Sequence, residues 1–227
     1  MGYNDDAPMI VNANEPHMAC LLLVDTSGSM YGDAINSLNE GINKFKEDVC
    51  KDERTKKIVD IAIVEFNTNV RVVQNWTPIE YMESINMTAN GGTDMIGGLK
   101  TAIEMVRERS KFYLQETGTV PYKPWIVMIT DGYPNESIDN VADEIAELDS
   151  KGKLRLWSLA VEGADTKILN KLCGGKRVLK LQGKDFTEFF DWIHKSARSI
   201  SQSAPGEKAQ GVPLPATVDK AIDDDWM

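Results

Sequence analysis

Ala19-Cys20-Leu21-Leu22-Leu23-Val24-Asp25-Thr26-Ser27-Gly28-Ser29-Met30 is the stretch on which the fold turns. Its first six residues are apolar without interruption, the pattern of a strand buried on both faces inside a parallel sheet. Directly after it, a carboxylate and two hydroxyls alternate along the chain. In an extended loop alternate side chains point the same way, so Asp25, Ser27 and Ser29 can present three oxygens to one point. Gly28 lets the loop bend tightly without steric cost. An all-oxygen donor set suits a hard divalent cation, Mg2+ or Mn2+, rather than zinc.

Outward from this stretch, strands and helices alternate. Ile35, Leu38, Ile42, Phe45 and Val49 recur at steps of three and four, which predicts a helix opened by Asp33 as N-cap. The charged residues 51–57 read as a surface loop. Residues 61–66 form a second strand. The turn Asn67-Thr68-Asn69 leads straight into a strand over 70–76, and so short a connection allows only antiparallel pairing at a sheet edge. A long loop over 77–92 ends in Gly91-Gly92. A helix then carries Ile96, Leu99, Ile103 and Val106, with Gly97-Gly98 allowing close packing near its start. Strands over 125–130, 154–161 and 178–181 are separated by helices starting near Ser137 and Asp165. A last helix bears Phe186, Phe189, Ile193, Ala197 and Ile200. Alternation of this kind makes a mostly parallel sheet covered on both faces.

Residues 1–17 read as an N-terminal arm, 18–203 as one α/β domain and 204–227 as a flexible acidic tail. The last assignment rests on Pro205, Pro213, Pro215 and the run Asp223-Asp224-Asp225. The 227 residues suffice for one sizeable core. The net charge of −10 argues against nucleic acid and anionic membrane surfaces as partners. Three cysteines without CxxC spacing imply neither a disulfide framework nor a zinc site, in keeping with a cytoplasmic setting. The acidic N-terminus lacks the form of a signal peptide, and no apolar run approaches the roughly 20 residues of a membrane helix.

Asp-x-Ser-x-Ser after a buried strand resembles the metal-ion-dependent adhesion site of von Willebrand factor A domains. That family adds a distant threonine and a distant aspartate, matched in order by Thr93 of Asn90-Gly91-Gly92-Thr93-Asp94 and Asp131 of Thr130-Asp131-Gly132. The resemblance spans roughly residues 17–203. The dense acidic and polar character also looks like the bacterial branch associated with tellurium resistance, hence a stress-response complex.

From the resemblance follows a three-layer, Rossmann-like α/β fold. Its mostly parallel sheet has about six strands in the order 3-2-1-4-5-6, one antiparallel edge strand and helices on both faces. Asp25 and Asp131 then end neighbouring strands where the winding reverses, the usual ligand crevice of an open α/β sheet. The resemblance also implies that Ser27, Ser29 and Thr93 offer hydroxyls to Mg2+ or Mn2+, while Asp25 and Asp131 act mainly through water and by hydrogen-bonding those hydroxyls. One position is left for an Asp or Glu of a partner protein, so the implied role is metal-gated protein binding without catalysis.

Other readings compete. A phosphotransferase of the haloacid-dehalogenase type with Asp25 as nucleophile lacks its second aspartate, because that position is Ser27. Asp-Thr before Ser-Gly is interrupted relative to the Asp-Thr-Gly of aspartic proteases. Gly-x-Ser-x-Gly is missing, and two histidines leave a serine triad few candidates. A metal-free scaffold binding through its helices or tail is the non-enzymatic alternative. Asp94 reads as an N-cap rather than a ligand, Asn67 as a turn residue, and His17 and His194 as surface residues. The acidic tail can also be pictured occupying the open metal position of its own or a neighbouring chain, giving self-association.

Overall fold

The computed structural model describes residue 10 and residues 12–134, 136–207 and 209–220. Seven strands form one sheet: β1 (Met18–Asp25), β2 (Val59–Phe66), β3 (Val70–Pro78), β4 (Trp125–Thr130), β5 (Arg155–Ala160), β6 (Val178–Leu181) and β7 (Val218–Lys220). Their order is β3-β2-β1-β4-β5-β6-β7. β3 and β7 run antiparallel at the two edges and the five strands between them are parallel. The helices are α1 (Asp33–Cys50), α2 (Thr55–Ile58), α3 (Met95–Glu116), α4 (Asp139–Ser150), α5 (Thr166–Leu172) and α6 (Thr187–Ser201).

Strand alternation sorts the core into two layers. Cys20, Leu22 and Val24 of β1 face Leu38, Ile42 and Phe45 of α1 and Phe189, Phe190 and Ile193 of α6. Leu21 and Leu23 face Leu99, Ile103 and Val106 of α3, a layer that α4 and α5 continue through Val141, Ile145, Leu169 and Leu172. Both layers are dry: Leu21, Leu22 and Leu23 are fully buried, each adding about 1.5–3 kcal/mol over an exposed leucine. Close approach is bought at single glycines. A Cβ on Gly98 would stand 3.1 Å from Phe66 Cβ and 3.2 Å from Leu23 Cδ1, so α3 lies directly on β1 and β2. Burial pushes the Cys20 thiol up to about 12, which makes it an inert core residue.

Several expectations are corrected. The stretch read as a tail from residue 204 supplies β7 instead. Trp192 Nε1 donates to Val212 O at 3.1 Å, Ser199 Oγ to Gln210 O at 2.7 Å, and Val212 and Leu214 pack on the core. Gln182 N then donates to Thr217 O at 2.8 Å and Val218 is buried. β6 needs an edge partner, and three scattered apolar residues fix one without any apolar run to announce it. Asp223-Asp224-Asp225 lies outside the described residues.

Within the loop expected at 51–57, Thr55–Ile58 makes one helical turn, opened by Asp52 Oδ1 accepting from Arg54 N and Thr55 N. Gly32 rather than Asp33 is the N-cap of α1, at φ +87°. Ile138 rather than Ser137 precedes α4.

His17, read as a surface residue, is buried. It stacks on Tyr113 with ring centroids 5.3 Å apart, and its Nδ1 lies 3.3 Å from Asp60 Oδ2. That same carboxylate oxygen accepts from Arg109 Nη2 at 2.8 Å and Tyr113 Oη at 2.5 Å. Arg109 also lies over the Phe112 ring, 4.7 Å from its centroid. The cluster pins α3 to the entry end of β2, at the end of the sheet opposite the Asp25 loop.

Candidate metal centre

Asp25 is the last residue of β1 and is fully buried; Asp131 directly follows β4 and is half-buried. β1 and β4 are adjacent and parallel, so these two carboxylates meet at the crevice where the strand order reverses. A continuous hydrogen-bonded path joins them. Ser27 N donates to Asp25 Oδ1 at 2.8 Å, Ser27 Oγ lies 3.0 Å from Ser29 Oγ, and Ser29 Oγ donates to Asp131 Oδ1 at 2.8 Å. Thr93 closes the ring from the side. A Cβ on Gly132 would stand 2.9 Å from Asp25 Oδ2, 3.0 Å from Thr93 Cγ2 and 3.4 Å from Thr93 Oγ1. All five residues singled out from the sequence therefore gather around one small volume, with buried carboxylate at its base and exposed Ser29 at its mouth.

Neighbouring chain segments hold the loops in register. Thr26 N donates to Phe66 O at 2.9 Å, and Thr26 O accepts from Asn90 N at 2.8 Å. Gly28 N donates to Gly91 O at 3.1 Å, and Asp94 N to Asn67 O at 2.6 Å. Gly91 sits at φ +73°, where a Cβ would also meet Thr68 Oγ1 at 2.5 Å, so glycine is required there. Upstream of Thr93, two asparagines one turn apart on α1 act as a ladder. Asn39 donates to Met87 O and accepts from Met87 N, each at 2.9 Å; Asn43 does the same for Ile85, at 2.9 and 2.8 Å. α1 thereby ties the strand-like segment leading to Thr93 to the helix that starts beside Ser29.

Burial pushes the Asp25 carboxyl above the usual range, opposed by its hydrogen bonds from Ser27 and Thr130, while the nearby Asp131 raises it further. Burial raises Asp131 too, with the Ser29 hydroxyl opposing. Two carboxylates held close in a partly dry crevice are an unfavourable arrangement that a cation relieves. Two carboxylates and three hydroxyls also form a hard, all-oxygen donor set, and the volume beside Gly132 is kept clear by the missing side chain. The residues thus fit a small divalent ion. Among the described residues there is no cluster of three or more His, Cys, Asp or Glu side chains of the kind that holds a metal by itself. Any ion here depends on the hydroxyls.

Two contributors escaped the sequence reading. Thr130 ends β4 and donates to Asp25 Oδ2 at 2.6 Å, while its Oγ1 accepts from Gly132 N at 3.0 Å. Thr26 accepts from Asn67 Nδ2 at 3.1 Å. Thr130 is a hydroxyl ending an otherwise apolar strand, Thr26 one directly following the Asp25 that ends β1, and that was the available signal. Asn67 combines two roles: its Oδ1 accepts from Asn69 N in the turn, and its amide steadies Thr26. Asp94 is the N-cap of α3, accepting from Gly97 N at 2.9 Å, and is engaged away from the centre.

Gly132→Ala tests the cradle. Its Cβ would crowd Asp25 and Thr93 but no core side chain among its nearest neighbours. The expected result by calorimetry is a loss of Mg2+ affinity of about tenfold or more, worth about 1.4 kcal/mol, with the thermal midpoint little changed.

Known proteins bear on this geometry in two ways. The von Willebrand factor type A domain family matches residues 21–192, from within β1 to the first turns of α6, and takes in all five residues of the centre. Solved structures share the fold at low identity. A von Willebrand factor type A protein from Catenulispora acidiphila aligns at TM-score 0.62 and 16% identity, over 81% of this chain and 43% of that one. The pilus adhesin SpaC from Lactobacillus rhamnosus GG aligns at 0.65 and 13%, over 85% and 32%. The vWF domain of the type V pili tip protein Mfa5 from Porphyromonas gingivalis aligns at 0.58 and 11%, over 85% and 98%. The chain thus corresponds to less than half the length of the first two. No curated protein is similar enough in sequence to count as a relative. A parallel sheet that reverses between β1 and β4 is common to many folds, but joined to a match over three quarters of the sequence it leaves one assignment: the chain belongs to the von Willebrand factor type A domain family.

Proposed function

We propose that the chain is a metal-ion-dependent protein-binding module. Asp25, Ser27, Ser29, Thr93 and Asp131 hold Mg2+ or Mn2+, and an Asp or Glu of a partner protein completes the coordination. The carrying observation is the unbroken path from Asp25 through Ser27 and Ser29 to Asp131, with Thr93 facing the same gap across Gly132. When bound, the ion supplies an electrophilic centre that attracts a carboxylate.

The chain's residues do the rest. Ser27 and Ser29 turn their hydroxyl oxygens to the ion while Asp131 takes the Ser29 proton in a hydrogen bond. Thr130 and the Ser27 amide fix both oxygens of Asp25 beneath them. Two negative charges then balance the ion without encasing it, and a carboxylate from outside is still attracted.

No reaction is part of this proposal. Neither histidine is placed to serve Asp25: His17 precedes β1 at the opposite end of the sheet, and His194 lies on α6 beside Asp48 and Lys51 at the far end of α1. The neighbouring adhesin and pilus structures agree in fold with a binding role. A cytoplasmic setting and a stress-response complex of the tellurium-resistance type complete the proposal. The setting is supported by three free cysteines, and the complex by the likeness of this acidic, polar sequence to that bacterial branch.

Occupation of the open position by the acidic run Asp223-Asp224-Asp225, of the same or a neighbouring copy, belongs to the same proposal. β7 runs antiparallel to its neighbours, so the chain leaves Lys220 at the end of the sheet away from Asp25 and three strands to the side.

Thermal unfolding with and without Mg2+ tests the function. Ligand that binds only the folded chain at 100 times its dissociation constant adds about 2.7 kcal/mol. The expected result is a midpoint several degrees higher with Mg2+, reversed by EDTA, together with partner capture that EDTA abolishes. Partner capture that ignores EDTA contradicts the proposal and favours a metal-free scaffold.

A further inference from the structure

The loops that surround the centre share a composition that the metal does not require. Residues 26–34, 90–94, 131–138 and 162–166 contain no Lys, Arg or His. Besides Asp131 they carry Asp33, Asp94, Glu136 and Glu162, all exposed, and the half-buried Asp165, which caps α5. The 162–166 loop abuts the centre, since a Cβ on Gly163 would stand 3.7 Å from Asp131 O. Two exposed tyrosines stand in the same loops. Tyr31, two residues after Ser29, is 80% exposed, and Tyr133, two residues after Asp131, is 59% exposed. Ser29 and Asp131 are hydrogen-bonded to each other, so each tyrosine stands two residues along the chain from one partner of a single contact.

These observations place opposed demands on a partner. The ion attracts one carboxylate, but Asp25 and Asp131 already balance the ion, and Asp33, Glu136 and Glu162 have no ion-pair partner among the described residues, while Asp94 is held as the cap of α3. A partner bringing only negative charge is repelled at the rim. One whose carboxylate is flanked by cations is attracted twice. The tyrosine rings narrow the choice further, because a guanidinium stacks on an aromatic face and pairs with carboxylates in the same plane, which a lysine ammonium does less well. We infer that the partner segment is an acidic side chain flanked on both sides by arginines, with its carboxylate directed to the metal and its guanidinium groups lying against Tyr31, Tyr133 and the rim acids. This rests on the metal-dependent binding proposed above, and it adds the chemical identity of the segment bound.

The test uses the full chain loaded with Mg2+ and three labelled heptapeptides. Each has one central glutamate, flanked on both sides by arginines, by serines or by aspartates. Binding is read by fluorescence anisotropy at low and high NaCl. The arginine peptide is expected to bind about tenfold tighter than the serine peptide, and the aspartate peptide weakest, with the spread narrowing at high salt. Tyr31→Ser with Tyr133→Ser is expected to lower affinity for the arginine peptide about fivefold and leave the serine peptide unchanged. Calorimetry of Mg2+ alone gives the same affinity for parent and double variant. Equal affinity for all three peptides, or binding of none by a chain that takes up Mg2+, overturns the inference and leaves the metal centre standing. Failure to take up Mg2+ at all removes both, and so tells the two failures apart.

Discussion

Asp131→Ala is expected to abolish Mg2+ uptake, lowering affinity by about a hundredfold or more, while moving the thermal midpoint of the metal-free chain little. Both halves follow from position. Asp131 lies just beyond β4, half-buried, and its hydrogen bond to Ser29 is exposed. Removing it therefore leaves no buried group unsatisfied, and an exposed hydrogen bond contributes only about 1 kcal/mol. The ion, by contrast, loses one of two balancing charges and the acceptor that orients the Ser29 hydroxyl. Asp25→Ala is expected to abolish uptake as well but to be less benign. The Ser27 amide and Thr130 hydroxyl, both buried, lose their acceptor, at about 1–3 kcal/mol. Asp25→Asn keeps an acceptor at that place and should separate the two effects. Isothermal calorimetry with Mg2+ and thermal unfolding of the metal-free variants check all three. Retained affinity in Asp131→Ala would remove that residue from the centre.

The largest expected effect on stability lies at the other end of the sheet. Arg109→Met should destabilise the chain by about 3–5 kcal/mol, because it strips the buried Asp60 carboxylate of its cation. The pH dependence has a definite sign. Burial alone would raise the Asp60 carboxyl, but His17, the Arg109 guanidinium and the Tyr113 hydroxyl outweigh it and hold the group below the usual carboxylate range. A carboxylate depressed in the folded state contributes stability above its unfolded value of about 4, and that contribution is lost as pH falls through the lower folded value. The parent should therefore hold its stability down through pH 4, whereas Arg109→Met should lose stability at a higher pH. Urea unfolding of both chains between pH 3 and 7 measures this. The double variant Arg109→Met with Asp60→Leu should recover part of the loss, because no buried charge is left unpaired.

These two sites differ in how far the sequence exposes them. The Asp25 loop is legible because its chemistry is local: three oxygens at alternate positions after an apolar strand. Thr93 and Asp131 are found by family pattern, and the sheet order that brings them to Asp25 came with that resemblance. The alternation of apolar strands and helices is equally local, and β1 through β6 and the major helices stand where periodicity puts them.

What was not legible depends on partners distant in the chain. His17 looks like a lone polar residue until Asp60, Arg109 and Tyr113 are folded around it. Asn39 and Asn43 lie outside the apolar periodicity of α1 and drew no reading, yet their amides meet the backbone of residues 85 and 87. Residues 209–220 carry the composition of a tail, but Trp192, Ser199 and the free edge of β6 give that segment its hydrogen bonds. Composition reports what a segment can bury by itself, not what a neighbouring edge can supply.

Crystals of the chain soaked in Mn2+ give the most direct measurement, an anomalous difference map. The account predicts one strong peak in the crevice between β1 and β4, about 2.1 Å from the hydroxyl oxygens of Ser27 and Ser29. An empty crevice at saturating Mn2+, or a peak only elsewhere, such as among Asp48, Asp52 and Asp191, would contradict it.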